Sequence, residues 1–154
     1  MKRYHRLLKY LIFIICILAL ILCLDLILSQ KYISTTQYTY NHSKIKQDFK
    51  IAHLTDLHNY QFGNKNQRLI KKVKTEAPDV VFLTGDMLNA DEERTEILTD
   101  LIRQLVLIAP VYVSLGNHEI EYMQLSGNRD LIAQMEEAGA VVLDKEYIDM
   151  EING

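Results

Sequence analysis

Two stretches of this chain show the same succession of residue types, and this succession limits the fold that the chain can adopt. EAPDVVFLTGD (76–86) and IAPVYVSLGNHE (108–119) each pass from a helix end through a proline into an apolar run, which a glycine and polar residues follow. Proline stops the preceding helix because it lacks an N–H and clashes with the previous turn. Glycine permits a sharp exit at the far end of the strand. Strands that are apolar on both faces and alternate with helices indicate a parallel sheet covered by helices.

The same alternation of segments runs from Phe49 to the last residue. Helices are predicted where apolar residues recur with helical spacing among charges, at 66–77, 91–109 and 127–139. Segments of β-branched and apolar residues predict the strands, at 49–56, 79–86, 111–119 and 141–152. The predicted fold class is therefore α/β with mostly parallel strands. In such sheets ligands bind at the carboxyl ends of the strands.

Polar side chains occur at three successive strand ends, which read TDLH, TGDMLN and GNHE. The residues they supply are Asp56, His58, Asp86, Asn117 and His118. In a parallel sheet these ends lie side by side, so residues about 30 apart in the sequence converge. Carboxylates, an imidazole and an amide oxygen, without sulfur, suit Mn, Fe, Zn or Mg. Each motif alone is more often a turn or a cap than a catalyst, whereas the three in order are a much stronger signal.

D-x-H, then G-D, then G-N-H-E in this order and spacing resemble the calcineurin-like metallophosphoesterases, and most closely their membrane-anchored bacterial branch. The resemblance covers about 49–154. It implies that this part of the chain is the first half of an α-β-β-α sandwich. It also implies a metal-dependent hydrolase acting on phosphomonoesters, phosphodiesters or pyrophosphates.

The resemblance further implies two divalent metal ions and a role for each matching residue. Asp56 and His58 would bind the first metal, and Asp86 would bridge both. Asn117 would bind the second metal through its amide oxygen. His118 would face the substrate and stabilise the transition state or protonate the leaving oxygen. A hydroxide held between the ions would attack phosphorus in line.

The family pattern continues with a further histidine and a G-H-x-H segment that this sequence does not contain. No histidine follows His118, so the first metal would lack one usual protein ligand and the second would lack two. The family's G-D-x-x-D is GDMLN here, and Asn89 in the last place can still orient a loop by hydrogen bonding. Three expectations stay open: an enzyme incomplete in this chain, a half-site completed by a second chain, or a non-catalytic remnant.

An unbroken apolar run of 14 residues, LIFIICILALILCL (11–24), lies near the N-terminus. Extended to 7–28 it is long enough, at roughly 1.5 Å per helical residue, to span the hydrocarbon core. Four basic residues precede residue 10 without an acid, and the positive-inside rule therefore places the N-terminus in the cytoplasm. A cleaved signal peptide is the alternative, but no small-x-small cleavage site follows. We predict an uncleaved signal-anchor at 1–30, a juxtamembrane spacer, in part a strand, at 31–48, and a domain outside the membrane at 49–154.

The charge and the cysteine content exclude several classes of partner and site. From Lys31 onward the chain has 13 basic and 19 acidic residues, a balance of −6 that argues against nucleic acid as a partner. Both cysteines, Cys16 and Cys23, lie in the apolar run, so a disulfide framework and a thiolate metal site in the body are excluded. The expected partners are a membrane and a phosphate-ester substrate. A site close to the membrane favours a lipid-like substrate.

Overall fold

The computed structural model describes residues 2–29, 32–91, 94–125 and 130–152. The chain forms two compact units, Met1–Gln37 and Tyr38–Gly154. The finer division into an anchor, a spacer and a domain stays a prediction. Residues 32–50 contain no strand, so the expectation that the spacer pairs in part as a strand is wrong.

The first unit contains one long helix, α1, at Lys2–Ser29. Its segment Arg3–Leu26 is exposed throughout, and it is long and apolar enough to cross a membrane. A signal sequence near an N-terminus meets the same criteria. The predicted apolar N-terminal helix is therefore present.

The second unit is built on a four-stranded sheet in the order β1-β2-β3-β4, in which every neighbouring pair is parallel. The strands are β1 Ile51–Leu54, β2 Val80–Thr84, β3 Val111–Ser114 and β4 Val141–Leu143. A short 3₁₀ turn lies at Asn64–Asn66. The α-helices are α2 Gln67–Glu76, α3 Glu96–Leu105, α4 Asn117–Leu125 and α5 Leu131–Glu137. The predicted α/β class with parallel strands is confirmed, and the arrangement is consistent with half of a metallophosphoesterase fold.

The two faces of the sheet are covered unequally. Strands that follow one another in order, joined by right-handed crossovers, place their connecting helices on one face. On that face Leu83 is paired with Val113, and both are buried together with the apolar side of α3. On the other face the paired Phe82 and Tyr112 are only half-buried, and their rings pack edge to face at 6.0 Å. The helix-covered face therefore forms the closed core, whereas the other face buries Val80 but leaves Phe82 and Tyr112 partly exposed.

Several predicted elements are longer than the observed ones. The strand predicted at 111–119 ends at Ser114, and its polar end is instead the first turn of α4, which the sequence analysis did not predict. The last strand ends at Leu143 instead of residue 152. Helix α3 begins at Glu96, while residues 92 and 93 of its predicted range lie outside the described residues. Residues 127–129 of the predicted third helix likewise lie outside them.

Candidate metal centre

Three turns meet at the carboxyl edge of the sheet. His58 follows β1, Asp86 follows β2, and His118 lies in the first turn of α4, directly after β3. Their possible metal-binding atoms all lie within 4.8 Å of one another, and the three residues are half-buried. The structure thus brings together three of the five residues that the sequence motifs single out.

The turn after β1 is held against the turn after β2 by backbone hydrogen bonds beyond the strands. The Asp56 N–H donates to the Gly85 carbonyl at 3.2 Å, and the His58 N–H donates to the Asp86 carbonyl at 3.0 Å. Asp56, His58 and Asp86 have φ angles of 56°, 45° and 53°. This left-handed conformation is uncommon outside glycine, although Asp, Asn and His adopt it more readily than most residues. Such backbone persists where surrounding contacts fix it, and functional sites are enriched in it.

The turns after β2 and β3 touch backbone to backbone. Gly85 has a φ of +84°, and a Cβ there would lie 2.5 Å from the Gly116 Cα. A Cβ on Gly116 would lie 2.5 Å from the Asp86 nitrogen. Gly85 therefore provides the sharp exit that the sequence predicts. Gly116 is needed for close approach, because any side chain there would displace Asp86.

Glu119, to which the sequence analysis gave no role, is the most buried charged group of the site at 1% exposure. Its carboxylate accepts four backbone hydrogen bonds of 2.8–3.2 Å. The donors are the N–H groups of Asp86, Met87, Leu88 and Gly116. The sequence does carry a signal for one of these bonds, since a glutamate three residues after a helix N-cap is the acidic half of a capping box.

The imidazole of His58 is oriented by Asn89. The Asn89 side-chain N–H donates to the His58 carbonyl at 3.2 Å, so the amide oxygen of Asn89 faces the ring. That oxygen lies 3.0 Å from His58 Nδ1. Because an amide oxygen only accepts, Nδ1 carries the proton and the lone pair of Nε2 is free for a metal. The asparagine in place of the family's aspartate therefore orients a histidine as well as a loop.

His118 is held in the opposite way. The Ala90 N–H donates to His118 Nδ1 at 3.2 Å, so in the neutral ring Nε2 carries the proton. The backbone N–H of His118 donates to Asp86 Oδ1 at 3.0 Å. The rings of His58 and His118 meet edge to face with their centroids 4.6 Å apart. One imidazole thus offers a lone pair at the centre, and its neighbour offers a proton.

Of the other two predicted ligands, Asp56 does not belong to this group among the described residues. Asp56 is exposed, and its carboxylate accepts a hydrogen bond from the Thr55 hydroxyl at 2.8 Å. Asn117 is exposed as the first residue of α4. Their metal-binding roles stay predictions.

The spacing of the group is short enough for a divalent ion to bind there. Nitrogen and oxygen ligands bind such ions at about 2.1 Å, so two ligands on opposite sides of one ion lie about 4.2 Å apart. The possible ligand atoms of His58, Asp86 and His118 lie within 4.8 Å of one another, which is close enough for His58 and Asp86 to share an ion with His118 beside it. One carboxylate with imidazole nitrogens and no sulfur suits zinc, manganese or iron.

Residues 49–150 match the family model described as calcineurin-like phosphoesterase. A curated relative, an uncharacterized metallophosphoesterase of Campylobacter jejuni, is 28% identical over 111 residues. This alignment covers 69% of the chain but 29% of the relative. The chain therefore spans less than a third of the length of the curated relative it matches.

Proposed function

This chain belongs to the calcineurin-like phosphoesterase family, as its three strand-end motifs predicted, and on that premise we propose that it is a membrane-anchored, metal-dependent phosphoesterase. Its substrates would be phosphate monoesters, phosphate diesters or pyrophosphates. The apolar helix α1 favours a lipid-like substrate, because it would hold the site near a membrane surface.

The observation that carries this proposal is the opposite orientation of the two imidazoles. His58, with Nδ1–H held by Asn89, presents a lone pair to an ion. His118, with Nδ1 held by the Ala90 amide, presents a proton to a phosphoryl oxygen or to the leaving oxygen. This difference argues against His118 as a third metal ligand, since a neutral ring has only one nitrogen lone pair.

Asp86 would bind metal through its carboxylate, because its orientation is set from both ends. The His118 N–H occupies one site on Oδ1, and the backbone of Asp86 is bonded to Glu119 and His58. Asp56 and Asn117 would be the further ligands that this chain supplies to two ions, whose ligand sets would still lack the histidines that this sequence does not contain. Divalent ions at this position would offset the charge of the phosphoryl oxygens and make a water molecule acidic enough to act as a nucleophile.

A second candidate function is a non-catalytic metal protein, or a half-site that needs a partner chain. It is favoured by the composition of the cluster, in which the described structure gathers two histidines and one aspartate. Three protein ligands can hold an ion without turning over a substrate. Metal binding without hydrolysis by the purified chain would support this candidate.

The proposed activity is tested on the full chain in detergent micelles, with bis-p-nitrophenyl phosphate and p-nitrophenyl phosphate in the presence of Mn²⁺. Removing a residue that only hydrogen-bonds to a metal ligand typically lowers metal affinity or activity roughly 10–100-fold. Asp86→Ala removes a ligand itself, so it should lower the rate of hydrolysis more than about 100-fold. Asp48→Ala removes an exposed aspartate outside the site and should leave the rate unchanged. Hydrolysis that survives Asp86→Ala or excess chelator would refute the metal-dependent mechanism.

A further inference from the structure

The four backbone N–H groups that point at Glu119 belong to two different turns. Those of Asp86, Met87 and Leu88 lie after β2, and that of Gly116 lies at the start of α4. A buried N–H that lies beyond the strand ladder has to find another acceptor. Four such donors aimed at one point require an acceptor with several free lone pairs.

A carboxylate meets this requirement and an amide does not. Each oxygen of Glu119 accepts two bonds: Oε1 from Met87 and Leu88, and Oε2 from Asp86 and Gly116. An ionised carboxylate has about four lone-pair positions, whereas a glutamine has one acceptor oxygen and would turn an N–H₂ group toward two of the donors. The occupied oxygens and the 1% exposure also leave Glu119 no free position for a metal or a substrate.

The bonds of Glu119 lead directly to the residues of the candidate centre. Its Oε2 is 2.9 Å from the Asp86 nitrogen, and Asp86 Oδ1 in turn accepts the His118 N–H. Its bond to the Gly116 N–H, at 2.8 Å, closes the first turn of the helix on which His118 lies. One buried side chain therefore links the backbones that carry Asp86 and His118.

We propose that Glu119 is a positioning residue that assembles the metal centre before any ion binds. The inference rests on the proposed metal site, but the assembly it describes needs no metal. Without this carboxylate, the turns after β2 and β3 would have to be gathered by the ion itself. The cost of ordering them would then reduce metal affinity.

The inference is tested by comparing the Mn²⁺ affinity of matched variants of the full chain in micelles. Binding is measured from the electron paramagnetic resonance signal of the free Mn²⁺ ion. Glu119→Gln should weaken Mn²⁺ binding about 10–100-fold, as removal of a group that orients a metal ligand does. Glu121→Gln makes the same change at an exposed position of the same helix and should bind as the unmodified chain does. Equal affinity of Glu119→Gln and the unmodified chain would overturn the inference.

A control for general destabilisation is Leu98→Ala, which removes a buried side chain from α3. It should lower the melting temperature without changing Mn²⁺ affinity at a temperature where the variant is folded. Weakened binding in Leu98→Ala as large as in Glu119→Gln would mean that Glu119 acts only through stability, and would also overturn the inference.

The unmodified chain offers a second measurement, which decides the matter if Glu119→Gln does not fold. Amide hydrogen exchange in excess chelator should show Met87, Leu88 and Gly116 protected to the same degree as with Mn²⁺. Free exchange of these amides without metal would show that the ion gathers the turns, and would overturn preassembly. If the unmodified chain binds no Mn²⁺ at all, the proposed function fails, while protection of these amides still decides whether Glu119 assembles the turns.

Discussion

At the residue scale, the two histidines of the centre differ in what they offer, although both are imidazole rings at the same edge of the sheet. Asn89 gives His58 a free Nε2 lone pair, and the Ala90 amide gives His118 a proton on Nε2. The side chain of His58 should therefore act in metal binding and that of His118 in turnover.

His58→Ala and His118→Ala should separate these two roles. His58→Ala should weaken Mn²⁺ binding by more than about 100-fold, since it removes a ligand and not only a partner of one. His118→Ala should leave Mn²⁺ affinity within about threefold and lower kcat by roughly 100-fold or more, as loss of a proton donor does. Titration calorimetry and steady-state hydrolysis measure the two quantities. Equal losses of Mn²⁺ affinity in both variants would show that His118 is a ligand.

Asn89 provides a further prediction, because it bonds to both the ring and the carbonyl of His58. Asn89→Leu keeps a similar volume but frees the imidazole to turn, and Mn²⁺ affinity should fall about 10–100-fold. Asn89→Asp keeps an acceptor for the Nδ1–H and adds charge, which makes the ring a stronger ligand, so Mn²⁺ affinity should rise even though the bond to the His58 carbonyl is lost. Asn41→Leu, at an exposed position outside the site, is the matched control. If Asn89→Leu binds Mn²⁺ as tightly as the unmodified chain does, Asn89 does not set the tautomer of His58.

The sequence predicts some of these residues and not others, for a physical reason. Asp86 and His58 follow apolar runs, and a parallel sheet places such positions at one edge. Three of the four bonds of Glu119 come from backbone N–H groups of the turn after β2, and these groups leave no mark in the residue pattern. Only the fourth, from Gly116, matches a capping box. The role of Gly116 is hidden in the same way, since it depends on the distance to Asp86.

At the scale of elements, α4 is the part that pattern reading missed. Only Glu119 and Tyr122 are buried in it, so it lacks the apolar stripe from which the other helices were predicted. Its start is fixed instead by the bond between Glu119 and the Gly116 N–H. The strands of the sheet were predicted because their apolar residues are contiguous, although their ends were placed too far along the chain.

Strand β2 allows the unequal faces of the sheet to be measured. Leu83 is fully buried against the helices, and Leu83→Ala should lower the free energy of unfolding by about 2–5 kcal/mol. Phe82, its neighbour on the other face, is half-buried, and Phe82→Ala should cost less than the roughly 3–5 kcal/mol of a buried phenylalanine. Urea titration of the full chain in micelles, followed by circular dichroism, gives both values. A larger loss for Phe82→Ala than for Leu83→Ala would mean that the second face is covered in solution.

At the scale of the whole molecule, an apolar helix followed by an α/β unit was predictable because both depend on residue composition and periodicity. The apolar run, the polar residues after it and the α/β pattern differ in residue content over long windows. The number of ions does not follow from the residues present. Only His58, Asp86 and His118 form a group of possible ligands among the described residues, and the two ions are an expectation from the family resemblance. The orientation of the chain in a membrane does not follow from the fold, because a candidate membrane span is defined by length and composition only. The fold does not specify the substrate either.

The orientation of the chain is the last prediction. We expect α1 to be an uncleaved anchor with its basic end, Lys2 to Lys9, in the cytoplasm. Single cysteines at Arg3 and Thr36, introduced into a chain in which Cys16 and Cys23 are serine, can be labelled on spheroplasts with a membrane-impermeant maleimide. Thr36→Cys should be labelled before lysis and Arg3→Cys only after it, with the protein remaining in carbonate-washed membranes at full mass. Loss of the mass of the N-terminal segment would identify a cleaved signal peptide, and labelling of Arg3→Cys before lysis would reverse the orientation.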